Sequence, residues 1–241
     1  MVQNGPIQKP QKDGSGPPNF YGRRRGHKLR PVRQALLVSL LPRLSEKLRC
    51  PGIVEVDKLF KTPFQDLWME IGFGAGEHLT HQAVHNSEIG FIGVEPYVNG
   101  VAALLASINS MRLENIRVFD DDVRLLLSHL PDGCLGRIFI LFSDPWPKAR
   151  HNRRRVFNSE NLREFARILR AGGVLRFASD DMSYVRQVLD VVQNSPDVRW
   201  QPKAPSDWRE RPADAIETRY EAKAHSCGRT SVYLSFVRSS F

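Results

Sequence analysis

The chain has 241 residues, of which 41% are hydrophobic and 25% charged, and it carries three widely spaced cysteines. A chain of this size buries enough apolar surface to fold without disulfides, and we predict a soluble globular protein. No apolar run approaches the roughly 20 residues that a membrane helix requires, and the run from Ala35 to Leu41 ends at Pro42. We therefore expect no membrane span, signal peptide or metal site, and the odd cysteine count indicates reduced thiols in a cytoplasmic protein.

The net charge of +9 is concentrated near the N-terminus. Residues 1–33 hold eight lysines and arginines against one acid, Asp13, whereas the remaining residues hold 27 bases and 25 acids. Residues 1–31 also contain five prolines and five glycines. This composition cannot bury a core, so we predict a disordered basic tail over 1–31 and a folded domain over 32–241. Attraction of nucleic acid, general anion binding and solubility all remain open as roles for the tail.

From residue 66 onward, short apolar runs alternate with amphipathic stretches, after a helical pattern from Val32 to Leu48. The predicted strands are Asp66–Ile71, Phe91–Glu95, Ile116–Phe119, Arg137–Phe142, Val174–Ala178, Val198–Trp200 and Thr230–Val237. The predicted helices begin near Glu77, Asn99, Asp122, Asn158 and Asp181, and Gly172–Gly173 would end the fourth of them. This alternation is typical of an α/β fold with a mostly parallel, seven-stranded sheet and helices on both faces. Because no convincing helix separates the last two strands, we expect them to form an antiparallel pair.

The first strand runs into three alternating glycines, Gly72, Gly74 and Gly76, followed by a helix. Glycines allow backbone N–H groups to approach a ligand at the carboxyl edge of the sheet, although a tight turn without a ligand uses them too. The spacing G-x-G-x-G differs from the G-x-G-x-x-G of dinucleotide enzymes, and Glu70 would repel a pyrophosphate. An acid at this position suits a ligand that carries positive charge, which disfavours a nicotinamide dehydrogenase.

Two further acids follow the next two strands. Glu95 ends the second strand, where a carboxylate can accept both hydroxyls of a ribose. Glu70, the glycines and Glu95 together resemble the S-adenosylmethionine site of Rossmann-like methyltransferases. Asp122 follows the third strand, and this resemblance implies that it lies beside the adenine, within reach of its amino group, although it could also serve as a helix N-cap.

The most informative stretch follows the fourth strand and reads SDPWPKARHNRRR from Ser143 to Arg155. Asp144 would stand at the tip of a central strand, next to the cofactor, and two prolines stiffen its loop. Trp146 offers a flat face for a base, although local packing also explains such a residue. The next residues, with His151 and Asn152 among them, place five cations within eight positions: Lys148, Arg150, Arg153, Arg154 and Arg155. Joined to a sheet-tip carboxylate, this run is better explained by phosphate binding than by a solvated face.

The segments DPWPKARHNRRR and EIGFGAGEHL together resemble the bacterial tRNA (guanine-N7-)-methyltransferase family. The resemblance covers roughly residues 50–238 and includes Ala178-Ser179-Asp180 and Thr218-Arg219-Tyr220-Glu221. The arginine-rich aspartate loop is specific to this family, whereas many methyltransferases share the glycine loop. Ser143 departs from the proline that is usual before the aspartate, and the long basic tail is not a constant feature of the family.

The resemblance implies a Rossmann-like class I methyltransferase that methylates N7 of the guanosine at position 46 in the tRNA variable loop. It implies S-adenosylmethionine as cofactor. We also expect no metal and a monomer or weak homodimer. The implied cofactor contacts are Glu70, Gly72, Gly74, Gly76, Glu95, Asp122 and Asp144, with Asp144 also catalytic. The implied substrate contacts are Lys148, Asp180, Thr218, Arg219, Tyr220 and Glu221, and the implied RNA-backbone contacts are Arg150, His151, Asn152, Arg153, Arg154 and Arg155.

Two other functions fit parts of the sequence. Asp144-Pro145-Trp146 is similar to the [DN]-P-P-[YFW] loop of methyltransferases that act on exocyclic amines, in which the acid and the proline carbonyl accept the protons of the amine. Here the second proline follows the tryptophan, and the arginine run does not belong to that pattern. A non-catalytic RNA-binding protein with a relict cofactor site is the second alternative.

Overall fold

The structure is a computed structural model and describes residues 20–49 and 52–239. Its sheet has seven strands in the order β3-β2-β1-β4-β5-β7-β6. The strands are β1 Asp66–Ile71, β2 Ile89–Val94, β3 Ile116–Phe119, β4 Leu135–Leu141, β5 Leu169–Ser179, β6 Val198–Trp200 and β7 Val232–Arg238. Strands β1 to β5 pair in parallel, and β7 is antiparallel to both β5 and β6. The predicted seven-stranded, mostly parallel α/β sheet is therefore confirmed.

Helices cover both faces of this sheet. They are α1 Pro31–Ser39, α2 Leu41–Ser45, α3 Glu77–His85, α4 Val98–Met111, α5 Arg124–Leu127, α6 Ser159–Ile168, α7 Met182–Gln193, α8 Ser206–Arg209 and α9 Arg219–Ser226. Every residue of β2 is buried, and the consecutive residues Phe91 and Ile92 within it belong to two different core clusters. A strand that buries both faces reads as a continuous apolar run, which is why β2 shows no alternation in the sequence. No helix of the described residues is both long and apolar enough to cross a membrane.

Four of the predicted strands have ends that differ from the structure by one to five residues, and two predictions about the connections between elements differ as well. Helix α6 ends at Ile168, and Gly172 and Gly173 lie inside β5, not at the end of the helix. The β4–β5 ladder shifts register between Leu135 and Arg137, and Gly172 has a φ of +72°, so the glycines accommodate an irregularity of the strand.

The second difference concerns the last two strands. They pair antiparallel as predicted, but α8 and α9 lie between them in sequence. The N-terminus of α9 is a capping arrangement in which the Thr218 hydroxyl accepts the N–H of Glu221 at 3.2 Å. This T-x-x-E pattern indicates the start of a helix, and the sequence prediction missed it.

The predicted tail falls partly outside the described residues, which begin at Phe20. Residues 20–30 are described, and they follow a fixed course along the domain. The N–H of Val98 donates to the carbonyl of Arg24 at 2.9 Å, and the N–H of Gly26 donates to Asn99 Oδ1 at 2.8 Å. Arg24 also pairs with Asp121 at 2.7 Å. For these residues the structure replaces the predicted disorder with specific hydrogen bonds to the start of α4.

Candidate active site

A cavity of about 420 Å³ opens at the carboxyl edge of the sheet. This volume lies within the range typical of small-ligand sites. Five of the predicted cofactor residues line it together: Gly72, Gly74, Glu95, Asp122 and Asp144. The side chains come from loops after β1, β2, β3 and β4, because the carboxyl ends of parallel strands meet at one edge of a sheet.

The glycines of the loop after β1 have different tasks. Gly72 has a φ of +73°, and a Cβ added to it would meet nothing within 4 Å, so its backbone borders open space in the cavity. A Cβ on Gly74 would lie 2.8 Å from the ring of Tyr220. Gly76, which precedes α3, is close to the side chain of Leu104 and is not among the described residues that line the cavity. The structure therefore shows why position 76 packs without a side chain, and the cofactor contact of Gly76 stays a prediction.

Glu95 joins two loops at the floor of the cavity. Its Oε2 accepts the N–H of Gly74 at 2.8 Å and its Oε1 accepts the N–H of Tyr97 at 3.0 Å. The side chain is buried, and this burial, reinforced by the negative charge of Asp144, raises the pKa of Glu95 to about 7. A carboxylate offers about four acceptor sites, so both oxygens retain capacity for hydroxyl groups of a ligand.

Glu70 is not among the described residues that line this cavity, and its direct cofactor contact stays a prediction. Glu70 is 3% exposed, and its carboxylate accepts a hydrogen bond from His78 Nδ1 at 2.7 Å. His78 lies in the first turn of α3 and is itself buried. The strand directs Glu70 toward this helix, so the carboxylate lies behind the glycine loop.

Asp122 lies at the cavity wall but is already engaged by its own segment. Its carboxylate accepts the N–H of Arg124 at 3.0 Å and pairs with the Arg124 guanidinium. This arrangement holds the first N–H of α5 and fixes the orientation of the carboxylate, although the N-cap position of the helix is Val123. The contact of Asp122 with an adenine stays a prediction.

Asp144 lies at the mouth of the cavity in a strained loop. Phe142 and Trp146, on either side of it, have φ values of 51° and 44°, a backbone region that costs roughly 1–3 kcal/mol for residues other than glycine. No described residue forms a hydrogen bond or ion pair with the Asp144 carboxylate. Partial loss of solvent raises the pKa of this group. Within the part of the chain that the structure describes, the loop thus presents an acid without a partner to a ligand in the cavity.

Comparisons with known proteins agree with this arrangement. A family model described as "Putative methyltransferase" matches residues 65–234. The tRNA (guanine-N(7)-)-methyltransferase of Rhodospirillum rubrum is 50% identical over 236 residues, which cover 96% of this chain and 90% of that protein. The chain belongs to the tRNA (guanine-N(7)-)-methyltransferase family.

Other similarities support the family and the fold. The tRNA (guanine-N(7)-)-methyltransferase of Chelativorans sp. is 46% identical and covers 91% of this chain and 94% of its own length. Among solved structures, an rRNA methylase from Streptococcus thermophilus is similar with a TM-score of 0.51, 12% identity and coverage of 89% of this chain and 100% of that chain. The 16S rRNA methyltransferase KamB is similar with a TM-score of 0.50, 17% identity and coverage of 73% and 89%. At these identities, the structural similarities show a shared methyltransferase fold.

Within this methyltransferase family fold, Arg155 is a structural residue and not the RNA contact that we predicted. Its side chain is 1% exposed, and its guanidinium donates to Pro145 O at 2.6 Å, Gln187 Oε1 at 2.6 Å and Ser183 Oγ at 2.8 Å. Tyr184 lies beneath the guanidinium at 4.8 Å. Arg155 therefore anchors the aspartate loop to α7, and its charge is not available to a phosphate.

Arg154 occupies an intermediate position. Its guanidinium lies 4.3 Å from the ring centroid of Tyr21 and 4.9 Å from that of Trp146. Stacking of this kind holds the cation in the cavity wall. Desolvation and neighbouring cations, with Arg154 foremost, lower the pKa of His151. The ring centroids of His151 and Trp146 are 6.0 Å apart.

The remaining members of the run vary in exposure. Lys148, Arg150 and Arg153 are exposed, and Asn152 is half-buried. The outer face of the 3₁₀ turn Ala149–Arg154 thus presents fewer cations than the sequence suggests.

The C-terminal motif is divided between two roles. Tyr220 lines the cavity against Gly74, whereas Thr218 caps α9. Glu221 is 1% exposed and accepts from Arg211 Nε at 2.9 Å and from the Tyr233 hydroxyl. The structure therefore places Thr218 and Glu221 behind the cavity, where they hold the helix that carries Tyr220.

The other two predicted substrate contacts form surface ion pairs. Arg219 pairs with Glu77, and Asp180 pairs with Arg229 at 3.0 Å. Neither Arg219 nor Asp180 is among the described residues that line the cavity.

The sequence analysis missed the N-terminal segment 20–23 as part of the site. Phe20, Tyr21, Gly22 and Arg23 all line the cavity. Two adjacent aromatic residues at the start of an arginine run were the available signal, since aromatic side chains are scarce in a chain segment that stays in solvent.

Proposed function

We propose that this protein transfers the methyl group of S-adenosylmethionine to N7 of a guanosine in tRNA, at position 46 of the variable loop. The observation that carries the proposal is the Asp144 carboxylate, which lines the cavity and has no partner among the described residues, on a loop whose outer turn exposes Lys148, Arg150 and Arg153. The names of the related proteins point to the same substrate atom.

The cavity has the features that this cofactor needs. Bound S-adenosylmethionine supplies an electrophilic methyl group on a positively charged sulfur. The open space beside Gly72 admits the close approach of a ligand to the backbone, Glu95 would accept the ribose hydroxyls, and Asp122 would face the adenine. The acids Glu95 and Asp144 give this cavity wall a negative character that suits a cationic ligand.

Guanine N7 carries a lone pair and no proton, so the reaction needs no obligatory base. The main task of the protein is to hold N7 in line with the methyl group, which is a matter of orientation. Positive charge develops on the purine during the transfer. The Asp144 carboxylate, fixed in its strained loop and free of partners among the described residues, would stabilise that charge through the N1–H and amino group of the base.

The structure disfavours methylation of an exocyclic amine. In that mechanism the proline carbonyl after the acid accepts a proton of the amine. Here the carbonyl of Pro145 accepts a hydrogen bond from the buried guanidinium of Arg155 at 2.6 Å. One of the two lone pairs of this carbonyl is therefore already used by a cation, and the guanidinium would compete with an amine for the oxygen.

The decisive experiment incubates the protein with labelled S-adenosylmethionine and an unmodified tRNA transcript, followed by digestion and identification of the labelled nucleoside. We expect 7-methylguanosine, and no label in a matched transcript in which position 46 is adenosine. A methyl group on an exocyclic amine would contradict the proposal. Calorimetry without binding heat for S-adenosylmethionine would instead indicate a non-catalytic RNA-binding protein.

A further inference from the structure

A buried chain of hydrogen bonds starts directly behind the glycine loop. Glu70 accepts from His78 Nδ1 at 2.7 Å, and His78 Nε2 lies 3.4 Å from Gln82 Nε2. The same Gln82 nitrogen donates to the backbone carbonyl of Asp214 at 2.5 Å. Glu70, His78 and Gln82 are each no more than 3% exposed. Four groups from β1, α3 and the segment before α9 are therefore linked without water between them.

The donor and acceptor roles in this chain are determined by its ends. The Glu70 carboxylate only accepts, so His78 donates through Nδ1. The Gln82 amide nitrogen only donates, so His78 Nε2 is the acceptor in this contact. Asn86 Nδ2 donates to Gln82 Oε1 at 3.4 Å, which orients the Gln82 amide in the same sense.

The far end of this hydrogen-bonded chain is Asp214, whose segment leads to the substrate side of the cavity. The carboxylate of Asp214 pairs with Arg176 at 2.7 Å and Arg137 at 3.1 Å, so its segment is fixed to the sheet. Four residues later Thr218 caps α9, and Tyr220 on that helix packs against Gly74. Gly74 belongs to the glycine loop that Glu70 precedes. The hydrogen-bonded chain thus begins next to the glycine loop, passes through α3, and ends in the segment that carries Tyr220, which packs on the same glycine loop.

We infer that His78 and Gln82 are positioning residues that couple cofactor binding in the glycine loop to the placement of Tyr220 and the substrate-facing segment around it. This inference rests on the proposed function. Packed hydrogen-bonded groups move together because each donor or acceptor left unsatisfied in the interior is costly. A ligand that fixes the glycine loop therefore also fixes the segment 214–220, and tRNA acts on the cofactor site by the same route.

The test measures the affinity of S-adenosylhomocysteine, a non-reacting product, by calorimetry with and without unmethylated tRNA. In the parent protein we expect tRNA to change this affinity by about fivefold or more. Gln82→Met preserves volume but removes both hydrogen bonds of the amide nitrogen. His78→Asn retains a donor toward Glu70 and no longer reaches Gln82. His85→Asn is the matched control, since His85 is exposed on the same helix.

Both Gln82→Met and His78→Asn should bring the effect of tRNA to within about twofold, while affinity without tRNA changes by less than about threefold. His85→Asn should retain the parental effect. Each variant serves as its own reference, so a general loss of stability does not imitate the result. Parental coupling in Gln82→Met, or no coupling in a parent that methylates tRNA, would overturn the inference. Absence of tRNA methylation by the parent would instead contradict the proposed function.

Discussion

The guanidinium of Arg155 donates to the carbonyl of Pro145 at 2.6 Å and thereby ties the aspartate loop to the side chains of α7. The strained backbone at Phe142 and Trp146 lies in this same loop. A buried arginine that donates to four acceptor atoms supplies the contacts that hold such a loop against relaxation. The loop that carries Asp144 is therefore shaped by a residue that is itself withdrawn from solvent.

Arg155→Met should lower both stability and turnover. The variant leaves the Pro145 carbonyl, Gln187 and Ser183 without their charged donor, and hydrogen bonds to charged groups contribute roughly 1.5–3 kcal/mol each in favourable cases. Thermal unfolding and steady-state turnover measure the two effects. The salt dependence of tRNA binding should stay close to that of the parent, and a flattened dependence would assign Arg155 to the RNA interface instead.

Replacing Arg150 and Arg153 together with Ala should have the opposite profile. Both side chains are exposed, so the melting temperature should not change. The slope of log affinity for tRNA against log salt should flatten by roughly 0.7–0.9 for each phosphate that the variant no longer neutralises. Salt titrations of tRNA binding for this double variant and for Arg155→Met form a matched pair. An unchanged slope in the double variant would place the tRNA elsewhere.

Asp144→Asn should retain the fold and the affinity for tRNA but reduce turnover by tenfold or more, about 1.4 kcal/mol of barrier. The substitution preserves shape and removes the charge that would stabilise the developing purinium. Single-turnover rates at saturating tRNA provide the measurement. A decrease of less than about threefold, on the order of 0.65 kcal/mol, would make Asp144 a bystander.

Cofactor affinity should depend on pH through Glu95. Burial raises the pKa of this residue to about 7 from an ordinary value of 4.5. The ionised form accepts the ribose hydroxyls, so affinity should weaken as pH falls through 7, by up to about tenfold per unit below this pKa. The same raised pKa means that the unfolding free energy of the free protein decreases as pH rises from 4.5 to about 7. Calorimetric titrations across this range should show the dependence, and Glu95→Gln should bind weakly at every pH. A steep dependence that persists in Glu95→Gln would move the titrating group elsewhere.

Two N-terminal deletions should separate the basic tail from the cavity wall. Deleting residues 1–19 removes Lys9 and Lys12 and should raise the apparent Michaelis constant for tRNA without affecting S-adenosylmethionine. Deleting residues 1–25 also removes Phe20, Tyr21 and Arg23, which line the cavity. This deletion should weaken the affinity for S-adenosylmethionine about three- to tenfold, or about 0.7–1.4 kcal/mol of binding free energy. Equal cofactor affinity in both truncated proteins would show that the segment 20–25 only covers an already complete site.

Much of the fold follows from local patterns in the sequence. The predicted bounds of β1, β3 and β6 agree with the structure, because each is a short apolar run between polar or turn residues. The glycine loop and Asp144 were predictable in the same way, since both follow directly from a strand that ends at the carboxyl edge of the sheet. Helix α6 shows the limit of local signals, because its end depends on the pairing of Leu169 with Leu135 in a neighbouring strand.

What the sequence by itself determined was therefore the order of the elements, the family and the position of the acid at the cavity. Only the tertiary structure decided which charges face the cavity and which are consumed in packing. Arg153 and Arg155 belong to one run, yet the first is exposed and the second is buried on Gln187, more than 30 residues away. Glu70 likewise turns to His78 on the next helix. The physical reason is that the free energy of a buried charge depends on partners brought by the fold, and no local pattern specifies them.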